Sequence, residues 1–352
     1  MTEPIRIAVG ASDNAWDQRF AAALDEQAAQ GYPLRYDVVN LDRHDWIERV
    51  RPYDVVLWKP NCMGISASAH FKERVYVLER HLGKLVVPNY KTIWHFESKA
   101  AQSFLFLLES VPTPQTTVSF DRQDALAQLR QAKMPLVFKR SEGAASEHVR
   151  LVAAPGGARR LLERAFCGNR YRAERLRGGP LWKTALRLAV RPWFWRFLWN
   201  RWLDRDADGY LYWQEFVTGN EADLRITVIG DQCAYGFWRR NRPGDFRASG
   251  SGRIDFERPI PEEPLRYCLE LNRRLDFDSM AYDILFQGPR FVINEMSYGY
   301  LDSAPYRSRG FYRLHDRKQL TFVAGHVWPQ ALWVEWALRR AERLQAARGA
   351  GS

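Results

Sequence analysis

Residues 280–297 read Met-Ala-Tyr-Asp-Ile-Leu-Phe-Gln-Gly-Pro-Arg-Phe-Val-Ile-Asn-Glu-Met-Ser, two apolar runs with one carboxylate in each, Asp283 and Glu295. Alternation of side chains along two antiparallel strands lets a hairpin bring carboxylates twelve residues apart onto one face. Carboxylates inside apolar runs are costly to bury unless a cation holds them, and hard oxygen ligands suit Mg²⁺. A pair of solvated hairpin carboxylates is the alternative. Either way, the stretch predicts an antiparallel sheet in this half of the chain.

Other strand candidates surround it. YLYWQEFV, LRITVIG and QCAYGFWRR lie upstream, and a helix is expected over 263–275. Further back come a helix over 98–110, a helix over 124–132, the strand MPLVFKR, the strand VRLVAA and a helix over 158–166. The first 90 residues differ in pattern. IRIAVG, a helix over 14–29, LRYDVVNL, a helix over 45–50, YDVVLWKP, a helix over 72–82 and KLVVP alternate as βαβαβ, which predicts a small parallel, doubly wound sheet. No G-x-G-x-x-G follows the first strand, which argues against dinucleotide binding. A last helix is expected over 329–346.

The chain has 352 residues, enough for two or three compact units at roughly 100 to 200 residues each. No apolar run approaches the ~18 residues of a membrane span. Cys62, Cys167, Cys233 and Cys268 are far apart and lack metal spacing, so they read as reduced thiols of a cytoplasmic protein. The N-terminus has no basic region leading into an apolar one, and no secretion signal is expected. The net charge is +11, and residues 170–205 carry +8 of it, with ten basic residues and two acidic ones. Five of the fourteen tryptophans lie in the same stretch. Lys183, Arg187 and Arg191 recur every four residues beside apolar bulk, a pattern of interfacial helices on anionic membranes and also of a hairpin docking its aromatics on the protein's own core. No RNP, zinc or helix-turn-helix signature supports nucleic acid as a partner.

Several short stretches carry chemistry suited to a nucleoside triphosphate. Lys139 ends a strand and precedes SEGAASEHV, a small-residue loop containing Ser141 and Gly143. An ammonium there reaches phosphate oxygens while loop N–H groups cradle them; a solvated strand-end lysine is the alternative. Gln214, Glu215, Phe216 and Val217 end a strand whose backbone N–H and C=O groups suit an adenine edge, and Glu221 and Asp223 follow at a spacing suited to ribose hydroxyls. Arg225, Arg239, Arg240 and Arg247 add planar donors for anionic oxygens.

In this order the stretches resemble the ATP-grasp superfamily, and within it the glutathione synthase and RimK-type carboxylate–amine ligases. The residues carrying the resemblance are Ser98-Lys99, Lys139, QEFV at 214–217, DLRITVIGD at 223–231, RRNRPGDFRASGSG at 239–252, and Asp283 followed by Glu295. The resemblance implies an α/β ATP-grasp fold: a small doubly wound domain over 1–90, a lid subdomain over 91–213 with an insertion over 168–208, and a C-terminal subdomain over 214–352. It implies ATP-dependent amide formation through an acylphosphate, from a carboxylate and an amine or amino acid. Lys99 and Lys139 would hold phosphates, residues 215–217 adenine, and Asp283, Glu295 and Ser297 two Mg²⁺ ions. Arg225 and Arg247 would hold the transferring phosphoryl group. Ser297 replaces the usual asparagine of the metal motif, and the phosphate loop has one glycine where several are usual. These departures also suit a nucleotide-binding adaptor without catalysis, and the same site would serve a phosphotransferase. A glycan precursor met at the inner face of a membrane, through residues 170–205, is the expected class of acceptor.

Overall fold

The computed structural model describes residues 3–60, 65–139, 149–166 and 209–349. The insertion at 170–205, Ser141 and Gly143 of the phosphate loop, Cys62 and Cys167 lie outside the described residues.

The chain forms two compact units, one of residues 1–97 with 219–352 and one of residues 98–218. In the first unit, β1 (Ile5–Gly10), β2 (Leu34–Val39), β3 (Val55–Leu57) and β4 (Leu85–Val87) form a parallel sheet in the order β2-β1-β3-β4. Helices α1 (Trp16–Ala29), α2 (Trp46–Val50) and α3 (Ile65–Tyr76) make the crossovers that parallel pairing requires. The helix expected from residue 72 thus begins earlier, and a π-helical turn, Val77–His81, follows it. A four-residue helix, α4 (Tyr90–Ile93), follows β4.

The second sheet of this unit is antiparallel and built on β9 (Ala222–Ile229), β10 (Cys233–Arg240), β12 (Ser279–Gln287) and β13 (Arg290–Ser297). Its order is β13-β12-β9-β10-β14-β15, and the two-residue strand β11 (Ile254–Asp255) pairs with β10. Strands β14 (Gly310–His315) and β15 (Gln319–Ala324) form a hairpin that the sequence reading lacks. Its turn puts Asp316 and Arg317 at positive φ, without the glycine that ordinarily announces such a turn.

Alternation divides the two faces of this sheet. Leu224, Ile226 and Val228 of β9 are fully buried on one face, together with Met280, Tyr282 and Ile284 of β12. The Tyr282 hydroxyl donates to Asn272 Oδ1 of the helix Glu262–Arg274, which covers that face. The opposite face changes character along each strand. On β9 it runs Asp223, Arg225, Thr227, Ile229, from charged to apolar. The apolar end, with Cys233, Tyr235 and Ala281, shares one core with Ile7 and Val9 of β1, Trp16 and Phe20 of α1, and Trp333 of the terminal helix Pro329–Gly349. Trp16 and Trp333 meet edge to face at 5.4 Å. Asp278 locks this joint: fully buried, it accepts from the Trp336 indole N–H at 2.7 Å and the Asn89 N–H at 2.6 Å, and pairs with Arg340. Beside it Gly230, at φ +63°, has the Trp336 ring where a Cβ would sit, at 2.7 Å.

The second unit is α+β. Strands β5 (Thr116–Ser119), β8 (Leu211–Glu215), β6 (Leu136–Lys139) and β7 (Val149–Val152) pair antiparallel in that order. The helices Arg122–Gln131 and Pro155–Phe166 bury Ala125, Leu129, Ala158 and Leu162 against Leu136, Phe138, Leu211 and Trp213. The helix α5 (Lys99–Leu108) also belongs to this unit. Among the described residues, no helix is long and apolar enough to cross a membrane.

Candidate active site

The charged end of the sheet face carries the candidate site. Register places Glu295 of β13 opposite Asp283 of β12, Asp283 opposite Arg225 of β9, and Arg225 opposite Phe237 of β10. Directly opposed residues of antiparallel strands share a face, so these four side chains form one row across the sheet. The next row is Ser297, Ala281, Thr227 and Tyr235. A register shift follows Asp283, and pairing then continues from Ile284 opposite Ile293 to Gln287 opposite Arg290; the bulge is what sets Glu295, rather than Asn294, opposite Asp283.

Arg225 holds Asp283 with two parallel bonds, Nε to Oδ1 at 2.7 Å and Nη2 to Oδ2 at 2.8 Å. Arg239 bridges two carboxylates, meeting Asp223 through Nε at 2.7 Å and Nη2 at 2.5 Å, and Asp283 Oδ2 at 2.8 Å. Such planar forks match carboxylates geometrically. Burial opposes ionisation of Asp283, but Arg225 and Arg239 outweigh it and hold this carboxyl well below the ordinary range. Burial pushes Asp223 up, against the pull of Arg239. Two guanidiniums and two carboxylates therefore balance in a nearly dry patch.

The expected site residues divide between the units. Asp283, Glu295 and Arg225 come together in the first, with Ser297 one row away. Ser297 Oγ already accepts the Gly299 N–H at 3.1 Å. Asp223, expected beside ribose hydroxyls, is instead the buried partner of Arg239, because Arg239 stands directly across from it on β10. Glu221 is exposed just before β9. Arg247 lies in the loop after β10, where Asp245 takes its guanidinium at 2.6 Å. The second unit holds the other group. Lys139 ends β6 and is largely buried. Lys99 opens α5, and Ser98 is the N-cap of that helix, its hydroxyl accepting the Ala101 N–H at 3.3 Å. Gln214 is buried, its Nε2 donating to Thr116 Oγ1 at 2.9 Å, while Oε1 has no partner among the described residues. The expectation that backbone groups of 214–217 stand open is corrected at two positions: the Glu215 N–H donates to Gln115 and the Phe216 N–H to Pro135, because β8 runs between β5 and β6.

A pocket of about 250 Å³ opens over β9 and β10. Arg225, Thr227, Phe237 and Arg239 line it from the sheet, residues 248–252 from the loop, and Tyr300 and Leu301 from the segment after β13. Thr227 and Phe237 were missed from the sequence. The two-residue period of LRITVIG and AYGFWRR carries that information, since it puts Thr227 with Arg225 and Phe237 with Arg239.

The donor set fits a divalent cation. A carboxylate has about four lone-pair sites, and the arginines use three on Asp283. One remains, and a second carboxylate, Glu295, is the cross-strand neighbour of Asp283. Ser297, its oxygen shared with an N–H, is a weaker ligand. Among the described residues no cluster of three or more His, Cys, Asp and Glu is present, so any ion here would complete its shell with substrate or water oxygens.

No protein-family model matches the chain. Among curated proteins it is similar to the alpha-aminoadipate–LysW ligase LysX of Saccharolobus solfataricus, 24% identical over 222 residues that cover 62% of this chain and 68% of that one. Among solved structures it resembles a RimK domain ATP-grasp protein of Sphaerobacter thermophilus, at TM-score 0.55 and 14% identity, over 94% of this chain and 98% of the other. It also resembles the D-alanine–D-alanine ligase of Bacillus anthracis, in a complex with ATP, at TM-score 0.50 and 13% identity, over 97% and 99%. Over nearly its whole length, this chain has the ATP-grasp fold.

Proposed function

We propose that the protein is an ATP-dependent carboxylate–amine ligase. The observation that carries this is the row Glu295, Asp283, Arg225 beside a small-molecule pocket on one sheet face, within an ATP-grasp fold. A carboxylate takes the terminal phosphoryl group of ATP to become an acylphosphate. The amine nitrogen then attacks the carbonyl carbon, the bond to phosphate breaks, and an amide forms with loss of a proton.

Each residue group has a part in this. Asp283 and Glu295, with Ser297, would hold Mg²⁺, which neutralises phosphate charge when bound. The low Asp283 pKa keeps that carboxylate ionised throughout the physiological range. Arg225 would stabilise the anionic oxygens that develop beside Asp283 and Glu295, where a preorganised donor acts without reorganising. Arg247 joins it from the loop, while Lys99 and Lys139 bind phosphates and residues 215–217 bind adenine. A second ion would need more from Ser297 than its shared oxygen provides. A membrane-surface location and a glycan acceptor rest on the composition of residues 170–205 alone.

ADP release measured across a panel of carboxylic acids, with and without amines, tests the assignment. Acid-dependent release with amide product supports a ligase. Acid-dependent release unaffected by amines supports a phosphotransferase, and ATP binding without release supports an adaptor.

A further inference from the structure

The pocket over β9 and β10 speaks to the kind of acid. Of the described residues lining it, the charged ones are Arg225 and Arg239. Their guanidiniums are matched one for one by Asp283 and Asp223. The walls are otherwise Phe237, Ile254, Tyr300, Leu301, Ala304 and Pro305, with small loop residues above. Thr227 adds a hydroxyl with no partner among the described residues, which offers one hydrogen bond and no charge. At about 250 Å³ the pocket is below the usual range for drug-sized ligands and suits a body of side-chain size.

From these features we infer that the carboxylate substrate is a small monocarboxylic acid with an uncharged, largely apolar body. Its carboxylate lies at the guanidinium end, where Arg225 and Arg239 each spend Nε and one Nη nitrogen on the aspartates. Its body covers Phe237 and Ile254. A dicarboxylic acid would place its second charge against apolar walls, away from the remaining N–H donors of Arg225 and Arg239 that meet the first, and a buried charge without donors is expensive. This inference rests on the ligase assignment.

Hexanoate and hexanedioate test it, since they differ by one terminal carboxylate. Binding of each to the full chain, with Mg²⁺ and a non-hydrolysable ATP analogue, is measured by saturation-transfer NMR titration, which needs no turnover. Hexanoate is expected to bind at least tenfold more tightly. Ala304→Lys places a cation on the pocket wall and should narrow or reverse the preference; Ser249→Lys does the same from the loop should the first variant fold poorly. Equal or tighter binding of hexanedioate to the unaltered chain overturns the inference, as does absence of binding by both acids or a ranking unmoved by either lysine. Hexanoate binding without acid-dependent ADP release would instead overturn the ligase assignment and leave the pocket's selectivity standing.

Discussion

Arg225 grips Asp283 with two parallel hydrogen bonds across β9 and β12, and on its far side Asp283 stands directly opposite Glu295. The proposed metal ligand is thus anchored by a fixed cation on one strand and has a second carboxylate as its neighbour on the other. Bidentate anchoring holds the carboxylate in place before any substrate arrives, as a preorganised site requires.

Glu295→Gln should abolish Mg²⁺-dependent ADP release while leaving the fold intact. Removing one charged ligand leaves phosphate charge poorly neutralised, and a loss of about 4 kcal/mol at the transition state is roughly a thousandfold in rate. Circular dichroism checks the fold. Undiminished release by this variant rules out the metal assignment.

Arg239 is the shared partner of two buried carboxylates, so its loss has structural cost. Arg239→Met should destabilise the chain by about 3–5 kcal/mol, the usual cost of stripping a buried pair of one member. Urea denaturation measures this. A loss below about 1 kcal/mol would mean that Asp223 and Asp283 find water or another cation.

Lys139→Ala should weaken ATP binding about ten- to a hundredfold, since a charge-assisted contact is worth roughly 1.5–3 kcal/mol. Calorimetric titration with ATP decides the matter, and unchanged affinity removes Lys139 from the phosphate site.

His95 provides a pH test of stability. It is fully buried, neither ring nitrogen has a hydrogen-bond partner among the described residues, and burial lowers its pKa from 6.5 to about 3, with Lys72 adding to the effect. The unfolded chain therefore takes up a proton that the folded one refuses. Stability from this residue is complete above pH 6.5 and falls as the pH drops from there toward about 3, at about 1.4 kcal/mol per pH unit. His95→Phe should flatten that part of the profile. Denaturation series at several pH values, with both proteins falling in parallel between pH 6 and 4, would contradict the assignment.

Residues 170–205 are expected to carry the chain onto anionic vesicles at low salt, each basic side chain contributing about 1 kcal/mol near the surface. Binding should weaken as salt screens the headgroups over roughly 8–10 Å. Flotation with anionic and neutral liposomes measures it. A chain that stays in the soluble fraction with anionic lipid in excess has no membrane-surface role for this segment.

Much of the architecture was legible in local patterns. The parallel first sheet followed from the alternation of apolar runs with helix-period stretches, and the hairpin carrying Asp283 and Glu295 from its two apolar runs. The pairing of those carboxylates on one face depends on the register shift after Asp283, without which Asp283 would face Asn294. Lys139 at a strand end was legible from the apolar run before it. The β14–β15 hairpin was not, because its turn is built from Asp316 and Arg317 at positive φ, residues that carry no turn signature.

Within each regular run of strand, the alternation of side chains between the two faces is therefore a property of the sequence by itself, as is the grouping of carboxylates and arginines over 223–295. The bulge that brings Glu295 to the face of Asp283 belongs to the paired structure. The partners of those charges are a property of the tertiary structure. Asp223, sixteen residues from Arg239, was free on sequence grounds to meet a ribose. It meets Arg239 because β9 and β10 pair in a register that puts the two directly opposite. Asp283 joins them because β12, more than forty residues further along, takes the other side of β9. Alternation is a short-range property of the backbone and settles direction only. Strand order and register are set by the burial of the apolar end of the same face against α1 and the terminal helix, a long-range packing requirement that also turns four scattered charges into one matched cluster.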